Sequence, residues 1–517
     1  MIDPRTPVLV GGGQFTHRGS AQSCPPPIEL CAMAAMAAAN DAGLAAHVLG
    51  DVDFLGVVGF TIDAPGSAGR LPVPRADNPP NALAARLGAN PRTRTYTHPG
   101  GNTPQSLVNH VAEMIARGES EFALLAGAEF LGSLMKLLKA GDATALAPYH
   151  VPDADEPAMF GNGRAGCSPV EERHGLAIPA NVYPMFENAL RAHLGRSIPD
   201  HAAAMGALMA PFTEVAARNP YAWFPKARSA EELVTVAPDN RMVGFPYPKY
   251  LNSIIQVDQS AAVLMTSHAK AMELGIDPGR LVFLHGCSDT TEKWDPLDRV
   301  DYHSSPAIRV GVREALAMAG KTVADMAFFD LYSCFPIAVE LACREAGLAP
   351  DDPRGLTLTG GLPYFGGPGN NYVMHSIIEA LWRCRREPQA FGLVTANGWF
   401  LTKHAMGVYS AQPTQGPWQR RAPSAYQGEI DALPAPERTE TPEGPATIET
   451  YTVIHSRDGY RMGIVIGRDS AGRRFVANTP GGDAAIMASL EAVESVGRTG
   501  TVTTAGGVST FVPTGAS

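Results

Sequence analysis

The stretch GGNTPQSLVNHVAEMIARGESEFALLAGAE, Gly100 to Glu129, decides how the chain is read. Asn102 or Thr103 can cap the first N–H groups of a helix, Pro104 suits its first turn and Gly118 suits its exit. Leu107, Val108, Val111, Met114 and Ile115 recur at helical spacing and little charge precedes Glu113, so a helix running to about Arg117 is expected to be buried. Phe122 to Ala126 then reads as a strand. A helix start behind two glycines points free N–H groups and the positive end of a dipole at whatever enters the loop. Such a start is an anion site or an ordinary strand-loop-helix turn, and these residues alone leave both readings open.

The same segment resembles the nucleophile segment of thiolases, where a reactive cysteine starts a buried helix, an Ile-x-x-Gly turn follows and a strand ends in Gly-x-Glu. Ile115, Gly118, Gly127 and Glu129 stand at the matching places, and counting back without gaps puts the nucleophile's place on Gly101. The resemblance implies a thiolase fold that has lost its thiol, with Gly101, Asn102 and Thr103 facing the substrate.

Composition sets the outer limits. The chain has 517 residues, 45% hydrophobic and 18% charged, enough for two or three domains with substantial cores. A net charge of -10 argues against an extended nucleic-acid footprint. The seven cysteines are odd in number, scattered and without a Cys-x-x-Cys pair, which predicts reduced thiols, a cytoplasmic setting and no metal. Neither a basic n-region at the N-terminus nor a membrane-spanning apolar run is present, so no membrane role is expected.

Taken in order, Thr6 to Val10 reads as a buried strand ending in a Gly11-Gly12-Gly13 turn, followed by a helix from Ile28 to Asp41 stopped by Gly43. The glycines form no GxGxxG pattern, which argues against a dinucleotide site. Phe54 to Val58 makes the next strand, Thr61 to Pro80 a loop, and Asn81 to Leu87 a short helix. From about Leu131 to Tyr250 the alternation gives way to an inserted lobe, within which Ser197 caps a helix from His201 to Ala217 that ends at Asn219-Pro220. This lobe, with the run Asp258 to Leu264 after it, is similar to the loop lobe and last N-half strand of sterol-carrier-type thiolases. In that family the lobe helps hold coenzyme A, and Arg164, Arg173, Lys226, Arg228 and Lys249 are either phosphate partners or ordinary solvated charges. A second half echoes the first, with a strand Leu281 to Leu284, a helix Ala307 to Ala319 and a strand Met326 to Leu331.

Three later loops resemble the remaining thiolase catalytic loops. In Phe329 to Pro336, Tyr332 takes the place of an Asn or His that orients an oxygen. In Gly360 to Asn371, Gly367 replaces the general-base His, and Tyr364 stands three residues earlier. Tyr332 with Tyr364 is also similar to the tyrosines of thiolase-like lyases of sterol side-chain degradation. In Phe391 to Ser410, Asn397-Gly398 stands where a second cysteine is usual; the pair also reads as a strand-joining turn, and Lys403-His404 beyond it as a surface pair, a coenzyme A contact or an acid/base pair. The resemblance therefore implies Tyr332, Tyr364 and Asn397 as catalytic residues, and Gly101, Asn102, Thr103, Gly366 and Gly367 as substrate-binding ones; the polar pair after Asn397 adds His404 as a catalytic candidate.

Seven prolines between Ala411 and Pro445 predict an extended connector rather than core. Beyond it, three strands, a helix around Ala484 to Val493 and two strands give the order of an OB barrel. A thiolase core with this addition resembles the thiolase-like type 1 proteins, which are acetyl-CoA acetyltransferase-like. The expected fold is α/β: a five-layer αβαβα thiolase core from two duplicated halves, at 1–268 and 269–420, a linker at 421–445 and a small β-barrel at 446–517. The implied ligand is a coenzyme A thioester, taken as substrate with no covalently bound cofactor. Three functions stay open: acyl-CoA carbon–carbon chemistry as an acyltransferase or lyase, a non-catalytic acyl-CoA or lipid carrier, and an OB-type nucleic-acid module on an inert core. A homodimer and a monomer are both compatible with the sequence.

Overall fold

The structure is a computed structural model that describes residues 2–63 and 73–515. The first half runs β1 (Pro7–Thr16), α1 (Pro27–Asp41), β2 (Phe54–Val57), α2 (Pro79–Leu87), β3 (Thr93–Thr97), α3 (Thr103–Arg117) and β4 (Phe122–Phe130). The expected Gly11-Gly12-Gly13 turn is instead the interior of β1. Side chains are excluded there by packing: a Cβ on Gly13 would lie 2.5 Å from Ala38 N in α1, and one on Gly12 would lie 2.7 Å from Ile378 on the other face. Glycine in this strand lets two helices approach the sheet. Of the loop expected over 61–80, Thr61–Asp63 forms a 3-10 turn and residues 64–72 lie outside the described residues.

The lobe contributes α4 (Leu131–Ala140), α5 (Ala143–Leu146), β5 (Met159–Phe160), α6 (Pro169–Arg173), α7 (Pro179–His193), α8 (Ile198–Arg218), α9 (Ala230–Val234), β6 (Met242–Gly244) and β7 (Tyr247–Pro248). Ser197 caps α8 as the sequence predicts, its side chain accepting from Asp200 N–H. Strand β8 (Asp258–Ser267) completes the first half, and the second follows with α10 (His268–Glu273), β9 (Val282–Thr291), α11 (Pro306–Met318), β10 (Phe328–Asp330), α12 (Pro336–Ala346), α13 (Tyr372–Arg386), β11 (Phe391–Gly398), β12 (Lys403–Ser410) and α14 (Ser424–Asp431).

The strands lie in the order β10-β11-β12-β9-β1-β8-β4-β2-β3-β5, and the two halves meet where β9 pairs with β1 over only Val8↔Phe283 and Leu9↔Val282. Helices α3 and α13 pack between the two half-sheets, α1 and α2 cover the outer face of the first, and α11 and α12 that of the second. Five layers result. Because both faces of β4, β8 and β12 are covered, all of their residues are buried and their sequences read as continuous rather than alternating apolar runs. Helix α3 sits at the centre, where Leu107, Val108, Val111 and Ile115 are fully buried and each contributes roughly 1.5–3 kcal/mol. Its exit is the left-handed Gly118, as expected. The lobe strand β5 pairs with β3 and covers part of the outer sheet edge.

The remaining chain forms β13 (Gly444–Ser456), β14 (Gly459–Asp469), β15 (Arg474–Asn478), α15 (Ala484–Ala492), β16 (Thr499–Ala505) and β17 (Val508–Pro513). The ring β13-β14-β15-β17-β16 closes on itself into a five-stranded barrel, which removes its edges. It is joined to the lobe and to the second half: β6 pairs with β13, Asn188 Nδ2 donates to both Phe245 O and Tyr451 O, and Arg474 reaches Leu297 O at 3.0 Å. The Pro-rich segment departs from the extended connector expected. Trp418 donates to Leu284 O at 2.7 Å, and Tyr426 and Ile430 of α14 pack on α11, because aromatic and aliphatic side chains between the prolines have an open helix face to cover.

Candidate functional site

The start of α3 opens into a cleft of about 260 Å³. Thr103, Ser106 and His110, spaced by three and four residues, put a polar stripe of α3 on the cleft, while the apolar positions of the same helix face the sheets. Lys403 of β12, Asp289 of β9 and Arg420 complete the polar wall. Arg420 is matched in charge, with Nη1 2.6 Å from Asp289 Oδ2 and another arm 3.1 Å from Glu113 Oε2.

Lys403 is not matched. Only 6% of it is exposed, which corrects the surface pair expected for Lys403-His404. Its strand runs between β9 and β11 in the middle of the sheet, so both of its faces are covered. Lys403 Nζ donates to Pro99 O at 2.5 Å and lies 5.8 Å from the centre of the Trp399 ring. No carboxylate stands within ion-pair distance of it among the described residues. Burial without a counter-charge pulls the amine down to about 8.

Asn102 does not cap α3 through its side chain. Its Nδ2 instead donates to Ser106 Oγ at 3.1 Å, and its buried Oδ1 has no partner among the described residues. Thr103 Oγ1 donates to Gly100 O at 2.8 Å and tightens the loop. Asn370 holds that loop from the other side, accepting from Gly100 N–H at 2.8 Å while its Nδ2 donates to Gly59 O at 2.7 Å.

Behind the loop the arrangement is closed. A Cβ built on Gly101 would overlap the Tyr332 hydroxyl and lie 2.5 Å from Asn397 O, so the space a side chain at 101 needs is already occupied. Tyr332, Asn397 and His404 surround a void of about 10 Å³, roughly the room one water requires. Burial raises the Tyr332 phenol well above its ordinary value, so at neutral pH it stays protonated and does not act as a base. Burial pushes His404 down to about 3, and its Nε2 donates to Leu401 O at 3.1 Å. Asn397 Nδ2 donates to Tyr183 Oη at 2.8 Å, and Tyr183 in turn donates to Trp399 O at 2.9 Å, tying the lobe helix α7 to the end of β11. The turn between β11 and β12 is not Asn397-Gly398, which are paired strand residues; it runs through Trp399 and Leu401, both with positive φ.

The other expected residues lie elsewhere. The Tyr364 hydroxyl is buried and unpartnered, raised by burial, and no hydrogen bond or ring contact joins it to Tyr332 among the described residues. Gly366 packs on Gln259 and Trp223, and Gly367 on Ser253, so both glycines meet protein rather than the cleft. Of the basic residues considered for phosphates, Arg164, Arg173, Lys226 and Arg228 pair with Asp295, Glu440, Glu232 and Glu232, and Lys249 is exposed. The structure thus joins Gly101 to Tyr332 and Asn397, and Asn102 and Thr103 to Lys403. Sequence reasoning passed over Ser106, His110 and Tyr183. The three-and-four spacing of 103, 106 and 110 is the signal that would have found the first two.

The profile of the family described as thiolase-like protein type 1 additional C-terminal domain matches residues 426–507. The crystal structure of a monomeric SCP2-thiolase-like protein type 1 from Mycobacterium smegmatis aligns over 99% of this chain and 100% of its own, at 38% identity and a TM-score of 0.83. The chain belongs to the thiolase-like protein type 1 family. An acetyl-CoA acetyltransferase from Syntrophomonas wolfei, at 17% identity and a TM-score of 0.51 over 80% of this chain and all of its own, shares the fold. A 3-ketoacyl-CoA thiolase of Salmonella paratyphi B is 29% identical over 160 residues, 28% of this chain. The matched segment spans about a third of that relative's length, at 35%. Among the described residues no helix of this family member is long and apolar enough to cross a membrane.

Proposed function

We propose that this thiolase-like protein binds the thioester end of an acyl-CoA in the cleft at the start of α3 and acts on a carbon–carbon bond of the acyl group without a cysteine-bound intermediate. The observation that carries this reading is the Tyr332 hydroxyl in the side-chain space of Gly101: the fold keeps the helix start and fills the nucleophile's place. The cysteines offer no substitute. Burial raises all seven, and Cys334, the one nearest Tyr332 in the chain, is pushed up to about 12, far from the thiolate that acyl transfer needs. Binding does not depend on a thiol, since the first N–H groups of α3 and its dipole attract a carbonyl oxygen or an anion regardless.

Within this reading Tyr332 is a hydrogen-bond donor behind the loop, and Lys403 is the cation beside the substrate. A carrier function is the second reading, supported by the burial that keeps Tyr332 protonated and His404 neutral behind the loop, so that neither exchanges a proton at neutral pH. Calorimetric titration with CoA and acetyl-CoA, followed by intact-mass measurement after incubation with acetyl-CoA, tests the proposal. Binding with no acetyl adduct is the expected result. An adduct on any cysteine, or no binding at millimolar ligand, overturns it, and binding without turnover across 3-hydroxyacyl- and 3-ketoacyl-CoA panels selects the carrier.

A further inference from the structure

We infer that Lys403 is a carbonyl-reacting amine, which forms an imine with the ketone carbon of a 3-ketoacyl thioester seated in the cleft. The inference rests on the acyl-CoA reading above and names the ligand class and the reacting group of that site. Its basis is a convergence at Gly100. A Cβ there would lie 2.7 Å from Lys403 Nζ and 2.6 Å from Asn102 Oδ1, so the amine and an unpartnered buried acceptor flank the same point of the loop that starts α3. The missing side chain at Gly100 is what lets Nζ reach Pro99 O, and it places the amine one residue before the position whose own side-chain space is filled by Tyr332.

A lysine in a folded protein usually stands exposed or beside a carboxylate. Lys403 does neither: it is 94% buried, lines the cleft and has a carbonyl and an indole face as its neighbours. With the amine drawn down to about 8, a usable fraction is neutral near physiological pH, whereas an ordinary lysine has almost none.

The step balances without a further reactant. The Nζ lone pair attacks the ketone carbon and forms the C–N bond while the carbonyl pair moves to oxygen. A proton passes from nitrogen to that oxygen. The carbinolamine then loses its hydroxyl group together with the second nitrogen proton as water, leaving C=N. Once protonated by solvent, the imine nitrogen draws electrons from the bonds next to the former ketone, which is the electron sink that carbon–carbon chemistry without a thiol requires. Asn102 Oδ1 is placed to accept a hydrogen bond from the carbinolamine hydroxyl.

The test is reductive trapping of the full chain with sodium cyanoborohydride, once with acetoacetyl-CoA and once with 2,4-pentanedione, followed by peptide mapping. The expected result is a reduced adduct on Lys403 with both probes, formed faster as pH rises from roughly 7 to roughly 9, and absent from a Lys403→Arg variant whose melting temperature shows it folded. An adduct with the diketone alone supports the amine and overturns the acyl-CoA ligand. No adduct on Lys403 with either probe, or labelling spread equally over exposed lysines, overturns the inference, while the separate calorimetric titration continues to judge the acyl-CoA reading.

Discussion

Two sides of one loop differ in this molecule. In front of Gly100-Gly101 lies an open polar cleft with Lys403, Ser106 and His110; behind it Tyr332, Asn397 and His404 enclose a void of about 10 Å³. Both sides draw on β12, where Lys403 and His404 are consecutive and therefore point to opposite faces of the strand. Burial acts on both bases, yet with different consequences. His404 is driven down to about 3 and keeps a carbonyl partner, so it is inert at neutral pH, whereas Lys403 is left near 8, where it can exchange a proton. Closing one side of the loop leaves reactivity on the other.

The largest expected effect comes from reopening the closed side by sequence alone. Gly101→Cys restores a thiol at the nucleophile's place, but its Cβ meets the Tyr332 hydroxyl and Asn397 O, and the backbone oxygen cannot rotate away. The variant is expected to lose about 3 kcal/mol or more, at the upper end of overpacking costs. Combining it with Tyr332→Phe should recover part of that loss, because one of the two obstructing atoms is gone. Denaturant unfolding of the single and double variants measures the coupling. If Gly101→Cys is as stable as the parent, the contrast between open and closed sides fails.

The thiolase core was legible through the resemblance of Gly100 to Glu129 and the later loops, while local signals placed its elements: Pro104 and Gly118 bound α3, Ser197 caps α8, and the strand order after the prolines gives the barrel. The misread elements share a cause, which is that a distant part of the chain decides them. Gly11-Gly12-Gly13 looks like a turn until Ala34, Ala38 and Ile378 are brought against it. Lys403 and His404 look solvated until β9 and β11 flank them. Trp418 and Tyr426 look like parts of a tether until their partners Leu284 and Ala307 are in place. The site was half legible for the same reason: the start of α3 is local, but the convergence of Lys403 on Gly100 joins positions three hundred residues apart.

The second effect tests whether the open side is built at the expense of stability. A base held below its ordinary value makes the folded state resist protonation, so charged Lys403 weakens the fold below about pH 8, and the penalty fades as pH rises from about 8 to 10.5. Lys403→Met removes the buried charge and keeps most of the volume. It is expected to gain about 1–3 kcal/mol at neutral pH, less whatever the unpaired Pro99 carbonyl costs, and to lose this advantage through the same window. Unfolding curves of both proteins across that range provide the check. A variant less stable than the parent at pH 7 would show that Lys403 is a structural tie and not a strained functional group.

The smallest effects, taken as a pair, sharpen the contrast most directly. Ser106 lies on the open side, where its hydroxyl accepts from Asn102 Nδ2 and helps orient that side chain next to the Gly100 loop. Ser106→Ala frees Asn102 and is expected to weaken acetyl-CoA binding by about 2–5-fold, the equivalent of one modest hydrogen bond, with little change in stability because the site is half-buried. His404→Gln is its opposite number. Its ring contacts lie behind the loop and its Nε2 serves Leu401 O, so the substitution should cost about 1–2 kcal/mol of stability and leave acetyl-CoA affinity within about twofold. The sign with pH differs as well: the parent His404, buried neutral, loses stability as pH falls below 6.5 toward 3, and the glutamine variant lacks that term. The two titrations and two melts together form a cross. If His404→Gln weakens binding more than Ser106→Ala does, the ligand lies behind the loop after all, and the void there must open in a state that differs from this one.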